Sequence, residues 1–429
     1  MTSSSQKIND GTSTIGLGGT ILNALNKIDG NFSNHDVAIN TIQTSVAGVQ
    51  GKWQPGQSYV GLVGTRGKSP TNGGTGFTQH MARTVSVAKT NITQIGAAFA
   101  NWYVTTSGEF AIGGDATITA SVEYPLGTTV TRLTFNGQNS GTAYDYSTLA
   151  SDLISINIPA GAEFAIREFR HYTGSGSIPF TNQVGLDITD GDCYNYGSSG
   201  VTDLTGSAGT FAGGDGSSHC NPVAIFGPTS LPSYALIGDS RGEGYGDNGN
   251  GNLYIGWMER SVGPVRAFTN LSKFGEYTST AATLGFRQRA AIINKYCTHI
   301  LCEYGVNDLF AGGQTVDQVL KSIDQIQEQF PYKWFYQTTL MGETNSTDAW
   351  TTLINQATVD SNKDESRRWF NNYVRSGMHR FDGVYDVSTV VESSFNSGLW
   401  KVPGYTADGL HPTPLGYATI ASSGVIKVQ

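Results

Sequence analysis

From Ser233 to the C-terminus, short apolar runs alternate with longer stretches of helical character. The runs are "YALIGDS", "VRAFTNLS", "THILCEYGVND", "KWFYQTTLM" and "FDGVYDVS". Between them lie "NLYIGWMERSV", "STAATLGFRQRAAIINKY", "TVDQVLKSIDQIQEQF" and a long segment predicted helical from Asp348 to Arg375, with "HPTPLGYATIASSGVI" as a closing helix. Such alternation predicts a parallel sheet with helices on both faces. Ligands in such sheets bind beyond the carboxyl ends of the strands. The polar residues that follow each run are therefore the candidate site.

Four clusters fall there: Gly238-Asp239-Ser240, "NLSKFGEYT" with Gly275, "YGVND" with Gly305, Asn307 and Asp308, and "ADGLHP" with Asp408 and His411. A serine hydroxyl is a weak nucleophile unless a base sits beside it. An imidazole can be that base, and a carboxylate can hold its other nitrogen. Ser240, His411 and Asp408 supply those residue types. An oxyanion formed by attack on a carbonyl needs fixed donors, and the backbone N–H groups of Ser240 and Gly275 with the Asn307 amide are the candidates. The glycines after Ser240 are expected to turn the chain sharply and to leave room for an acyl group.

In order and setting these residues resemble the SGNH hydrolases, also called the GDSL esterase/lipase family. Gly238, Asp239, Ser240 and Gly244 match its first block, Gly275 its second, Gly305, Asn307 and Asp308 its third, and Asp408 and His411 its fifth. The resemblance implies a three-layer α/β hydrolase domain over residues 226–429. It also implies Ser240 as nucleophile, His411 as base, Asp408 as its orienter, and Ser240, Gly275 and Asn307 as oxyanion hole. No cofactor or metal is implied. Arg241 stands where the family usually has leucine, which bears on the substrate. Arg241, Tyr254, Trp257, Trp400 and Tyr405 are candidate substrate contacts, and so is Tyr245. Aromatic rings there either stack on sugars or simply pack.

The preceding half has a different texture. Ile21, Leu25, Ile28, Phe32, His35, Ile39, Ile42, Val46 and Val49 recur at steps of four and three. This is a heptad seam rich in isoleucine, which leans toward three strands. Residues 1–52 are expected to form a helical oligomerisation segment. Gly, Pro, Ser and Thr dominate 53–95, an expected irregular connector. Between 96 and 225, short alternating β-branched runs such as "ATITASVEY" and "LISINIPAG" predict a β-sandwich-like accessory domain. This layout resembles bacteriophage tail fibres and tailspikes that deacetylate surface polysaccharides. The expectation is a homotrimer, extracellular or on the virion, acting on an acetylated polysaccharide beside other tail proteins. Two other readings stay open: a non-catalytic glycan-binding fibre, and a free-standing bacterial esterase or lipase.

Composition agrees with this range. Only 14% of residues are charged and the net charge is −8, so nucleic acid is not an expected partner. No run is long and apolar enough for a membrane span, and "MTSSSQKINDGTSTIGLGG" does not read as a signal peptide. Cys193 and Cys220 bracket a Gly/Ser-rich loop and are compatible with a disulfide, whose pairing sequence leaves open. Cys297 and Cys302 read as packing residues on one strand, and so does His299.

Overall fold

The computed structural model describes residues 51–173, 177–181, 191–213, 219–248, 253–283 and 285–429. The expected coiled-coil seam, Ile21 to Val49, lies outside them.

The alternation after Ser233 folds into one parallel sheet. In spatial order its strands are Gly67–Lys68, Phe268–Asn270, Tyr234–Ile237, His299–Cys302, Trp334–Thr338 and Gly383–Tyr385, and every neighbouring pair is parallel. Tyr234–Ile237 lies between the next two strands of the chain, so the order reverses there and opens a crevice at its carboxyl end. Both faces of that strand are covered, which is why it reads as unbroken apolar sequence. Ala235 and Ile237 pack with Ile292, Ile293, Val319 and Ile323 on one side. Tyr234 and Leu236 pack with Trp257, Val262, Tyr417 and Ile420 on the other.

Local signals set the helix ends. Val316–Glu328 starts at a reciprocal capping box between Thr315 and Gln318. Pro414–Ser422 starts at Thr413, whose hydroxyl accepts from the Gly416 N–H, with a proline in the first turn where no N–H is needed. The long helix expected from Asp348 is shorter, spanning Ser361–Arg375. The Asp348 carboxylate instead accepts N–H groups of Thr351 and Thr352 and closes a tight loop. Ala349 and Trp350 there have φ of 54° and 55°, which no helix accommodates.

The β-rich part is a sandwich of two antiparallel sheets. One joins Tyr59–Leu62, Ala224–Thr229, the long strand Ile92–Thr105 and Ser147–Ala150, with Gly108–Ala111 and Ile154–Ile158 also on the long strand. The other joins Cys193–Gly197, Gln79–Val87, Glu163–Tyr172, Ala116–Glu123 and Val130–Arg132. Ile95, Ala97 and Phe99 of the first meet Ile118, Ala120, Val122, Phe164 and Ile166 of the second.

Residues 53–95 differ from the expected irregular connector. Tyr59–Leu62, Gly67–Lys68, Asn72–Thr75 and Gln79–Val87 are strands, and Ile92 opens another. Tertiary pairing overrides the weak local propensity here. Gly67 is needed because a Cβ would lie 2.8 Å from the Val223 carbonyl oxygen. In Gln79–Val87 both faces are buried, and Arg83 is paired with Glu123 at 2.9 Å, so no alternation marks the strand.

The expected boundary at 225/226 also differs. Ala224–Thr229 belongs to the sandwich, and Gly67–Lys68 to the hydrolase sheet. The long strand sends Ala98, Ala100, Trp102 and Val104 into the same core as Ile292, Ile293 and Tyr296. Trp53–Gln429 is accordingly one compact unit.

All four cysteines are buried and free, so Cys193 and Cys220 form no disulfide. The Cys220 thiol donates to the Pro179 carbonyl instead, at 3.4 Å. Cys297 and Cys302 do not share a strand, since Cys297 caps the helix Arg287–Tyr296. Among the described residues no helix is long and apolar enough to cross a membrane.

Candidate active site

Ser240 follows the strand Tyr234–Ile237 and opens a four-residue helical turn, Ser240–Glu243. The Asp239 carboxylate accepts the Arg241 N–H at 3.0 Å and so caps that turn. Gly244 ends it in the left-handed region at φ 86°. The glycines here do not make room for an acyl group, as the sequence suggested. A Cβ on Gly242 would lie 2.6 Å from Met258 Cε, and one on Gly244 2.6 Å from Ile255 Cγ2. They let protein pack against the turn.

His411 comes from the loop before the closing helix, 171 residues further on. Its Nε2 lies 2.8 Å from Ser240 Oγ, and its Nδ1 lies 2.7 Å from Asp408 Oδ2. The other Asp408 oxygen accepts the N–H groups of His411 at 2.7 Å and Leu410 at 2.9 Å. Burial works against the Asp408 charge, but the His411 ring and these two N–H groups outweigh it, and the carboxyl is held below the usual range. Ser240 and His411 are buried while half of the Asp408 side chain is exposed. Gly409 has φ 79°, and a Cβ there would strike the Thr344 carbonyl oxygen, so the Asp408–His411 loop needs this glycine.

The oxyanion candidates converge from two further strand ends. Lys273 N–H donates to the Gly238 carbonyl at 2.9 Å and ties the corner after Phe268–Asn270 to the nucleophile turn. Gly275 in that corner has φ 73°. The Asn307 amide donates to the Glu276 carbonyl at 3.2 Å, against the same corner, and keeps a second N–H. Backbone N–H groups of Ser240 and Gly275 have no acceptor among the described residues. Asp308 accepts from Thr278 N–H at 2.8 Å and from its hydroxyl at 2.7 Å, holding the helix that leaves the corner.

The predicted substrate contacts fare differently. Arg241 is fully buried and donates to the carbonyls of Leu410 at 2.9 Å, Met341 at 3.0 Å and Gly342 at 3.0 Å. It ties the histidine loop to the sheet and does not face a substrate. Trp257 and Tyr254 pack in the core beside Val262 and Phe268. Trp400 is buried there too, with its indole N–H on the Gly409 carbonyl at 2.9 Å. Tyr405 is half-buried against the same core. Only Tyr245 reaches the site, 44% exposed with its ring 4.8 Å from that of His411.

Other residues carry no motif signal. Phe274, 37% exposed, stacks 6.2 Å from the His411 ring and 4.9 Å from Tyr245. Glu303 is buried beneath the nucleophile turn and accepts the Asp239 N–H at 3.3 Å. Burial raises the carboxyls of both Asp239 and Glu303, most strongly that of Glu303, where the neighbouring Asp239 charge adds to it. A charged residue inside the apolar run "HILCEYG" was the available hint.

A hydroxyl bonded to an imidazole, a carboxylate on the far nitrogen and unclaimed N–H donors nearby can carry out acyl transfer. In such a set the imidazole can take the serine proton as Oγ attacks a carbonyl and then return it to the leaving group. Water repeats the sequence on the serine ester. The fold and these groups define a carboxylic ester hydrolase. Residues 236–419 match the GDSL-like Lipase/Acylhydrolase family, which places the C-terminal region in the GDSL/SGNH class. No curated protein matches the chain. Among solved structures, it is similar to a putative platelet activating factor from Streptococcus pneumonia at 18% identity, covering 45% of this chain and 82% of that one, with a TM-score of 0.33. The carbohydrate acetylesterase Est24 from Sinorhizobium meliloti is 11% identical over 45% of this chain and 96% of its own, with a TM-score of 0.33. A peptidoglycan O-acetylesterase is 10% identical over 89% of this chain and 82% of its own, with a TM-score of 0.37.

Proposed function

We propose that this protein removes O-acetyl groups from a polysaccharide, with Ser240 as nucleophile, His411 as general base and Asp408 as its orienter. The observation that carries this reading is the seating of the Ser240–His411–Asp408 chain beside two exposed rings, Tyr245 and Phe274. Flat exposed aromatics offer the apolar face of a sugar ring a partner at little conformational cost. Ser240 itself is 4% exposed, which suits a short acyl group. Ser240, Gly275 and Asn307 would receive the oxyanion. The test is acetate release from a panel of acetylated bacterial polysaccharides, with Ser240→Ala as control. Release that the substitution abolishes supports the reading. Cleavage of long-chain lipid esters with no acetate released from any glycan would overturn the substrate class.

The heptad seam over residues 21–49 supports a homotrimer in a tail-fibre-like setting on a virion. Three sites on one particle would raise the avidity for a repeating polymer. Light scattering of the full chain should give three times the monomer mass. A monomer at micromolar concentration would contradict this setting.

A further inference from the structure

A buried chain of charged groups runs from the sandwich to the oxyanion corner. Glu109 lies on Gly108–Ala111, the strand that forms a hairpin with the end of Ile92–Thr105. Its carboxylate leaves the sandwich. One oxygen accepts the Gln288 N–H at 2.6 Å, and the other accepts the Arg289 N–H at 3.0 Å and Arg289 Nε at 3.3 Å. Glu109 thus holds the start of the helix Arg287–Tyr296. The Arg289 guanidinium forks onto both oxygens of Glu276, at 2.8 and 2.7 Å. The Tyr304 hydroxyl also donates to Glu276. Glu276 follows Gly275, and its carbonyl is the one that the Asn307 amide meets. Arg289 and Glu276 are fully buried, and Glu109 nearly so. The hairpin tip touches the same corner from outside, since a Cβ on Gly275 would lie 3.1 Å from Thr106 Cγ2.

We propose that the β-sandwich is a working part of the hydrolase, with Glu109 a positioning residue that fixes the Gly275–Glu276 corner and the Asn307 amide through Arg289. The inference rests on the reading of Gly275 and Asn307 as oxyanion donors. A bidentate guanidinium–carboxylate pair is directional, so it sets where the corner stands as well as holding it. Oxyanion donors act on the transition state, and small misplacement of such groups is costly. The fault from a loosened corner should therefore fall on turnover and spare substrate binding.

The experiment is steady-state kinetics of the full chain on a short-chain aryl ester for wild type, Glu109→Gln and Glu109→Asp. Glu109→Gln keeps the shape but replaces one accepting oxygen with an NH2 group that cannot accept. The expected result is a kcat lower by about ten- to a hundredfold with KM within about twofold. Hydrogen exchange should also quicken in the peptide covering residues 273–278. Glu109→Asp keeps the charge one methylene back. It is the deciding variant should the glutamine protein fail to fold, and it must show the same split in smaller measure. A kcat within about twofold of wild type in a folded variant overturns the proposal, whatever exchange or melting shows. An equal loss through KM overturns it as well. An inactive wild type would instead defeat the hydrolase reading, and this proposal with it.

Discussion

At the residue scale, hydrogen bonding separates the groups that carry chemistry from those that hold them. Ser240→Ala removes the atom bonded to His411 and nothing that supports the fold. Its melting should match wild type while ester turnover falls by roughly three to six orders of magnitude. Asn307→Ala should lower kcat with little change in KM, by an amount corresponding to about 3 kcal/mol, the usual cost of a lost oxyanion donor. Unchanged turnover in folded protein would remove Asn307 from that role. Arg241 shows the limit of motif reading. Its place next to the nucleophile suggested a substrate contact, yet its three bonds all go to main-chain carbonyls. Arg241→Met should therefore cost stability, on the order of 3 kcal/mol, because it leaves buried carbonyls unpaired. Denaturant melts would read that loss, and a fully stable variant would contradict the assignment. That Ser240, His411 and Asp408 come together was legible because the roles proposed for them need particular residue types at strand ends. Glu276, Arg289 and Glu109 were not legible, since ion pairs between distant segments leave no local pattern.

At the element scale, the strand His299–Cys302 carries a pH-sensitive group away from the site. His299 is buried, with its ring 6.0 Å from that of Tyr336 and 4.9 Å from that of Tyr234. Burial pushes its imidazole down to about 4, only partly offset by the Gln429 side chain. The unfolded chain then binds the extra proton first as pH falls from about 6.5. Stability from His299 is full above that value, declines below it and is gone below about pH 4. The linked loss is on the order of 3 kcal/mol. Melting temperatures of His299→Gln against wild type should converge between pH 7 and 4, because the variant lacks this proton uptake. Parallel pH curves would contradict it. The sequence marked His299 as a core residue because it interrupts an apolar run, and the parallel sheet was legible from the alternation around it. The strands in 53–95 were not, because glycines chosen for close backbone approach look locally like a loop. The helix expected from Asp348 failed for a similar reason, since its side chain closes a loop on its own neighbours.

At the scale of the whole molecule, the sandwich and the hydrolase sheet are not separable modules. The sandwich strand Ile92–Thr105 shares one core with the hydrolase helix Arg287–Tyr296, Phe226 of the sandwich strand Ala224–Thr229 stacks on Tyr296 of that helix at 4.6 Å, and Gly67–Lys68 completes the edge of the parallel sheet. A fragment beginning at residue 230 would expose that apolar face and lose Glu109. It should be insoluble or far less stable than the chain from Trp53 onward, as expression and melting of the two would show. A fragment from 230 as stable and active as the longer chain would contradict the shared-core account. The central claim, that Ser240 is the nucleophile of an ester hydrolase, is tested most directly by intact-mass spectrometry of the full chain after treatment with a fluorophosphonate. One adduct should form per chain on the peptide containing Ser240, and none on Ser240→Ala. An adduct elsewhere, or none while ester hydrolysis continues, would contradict the account.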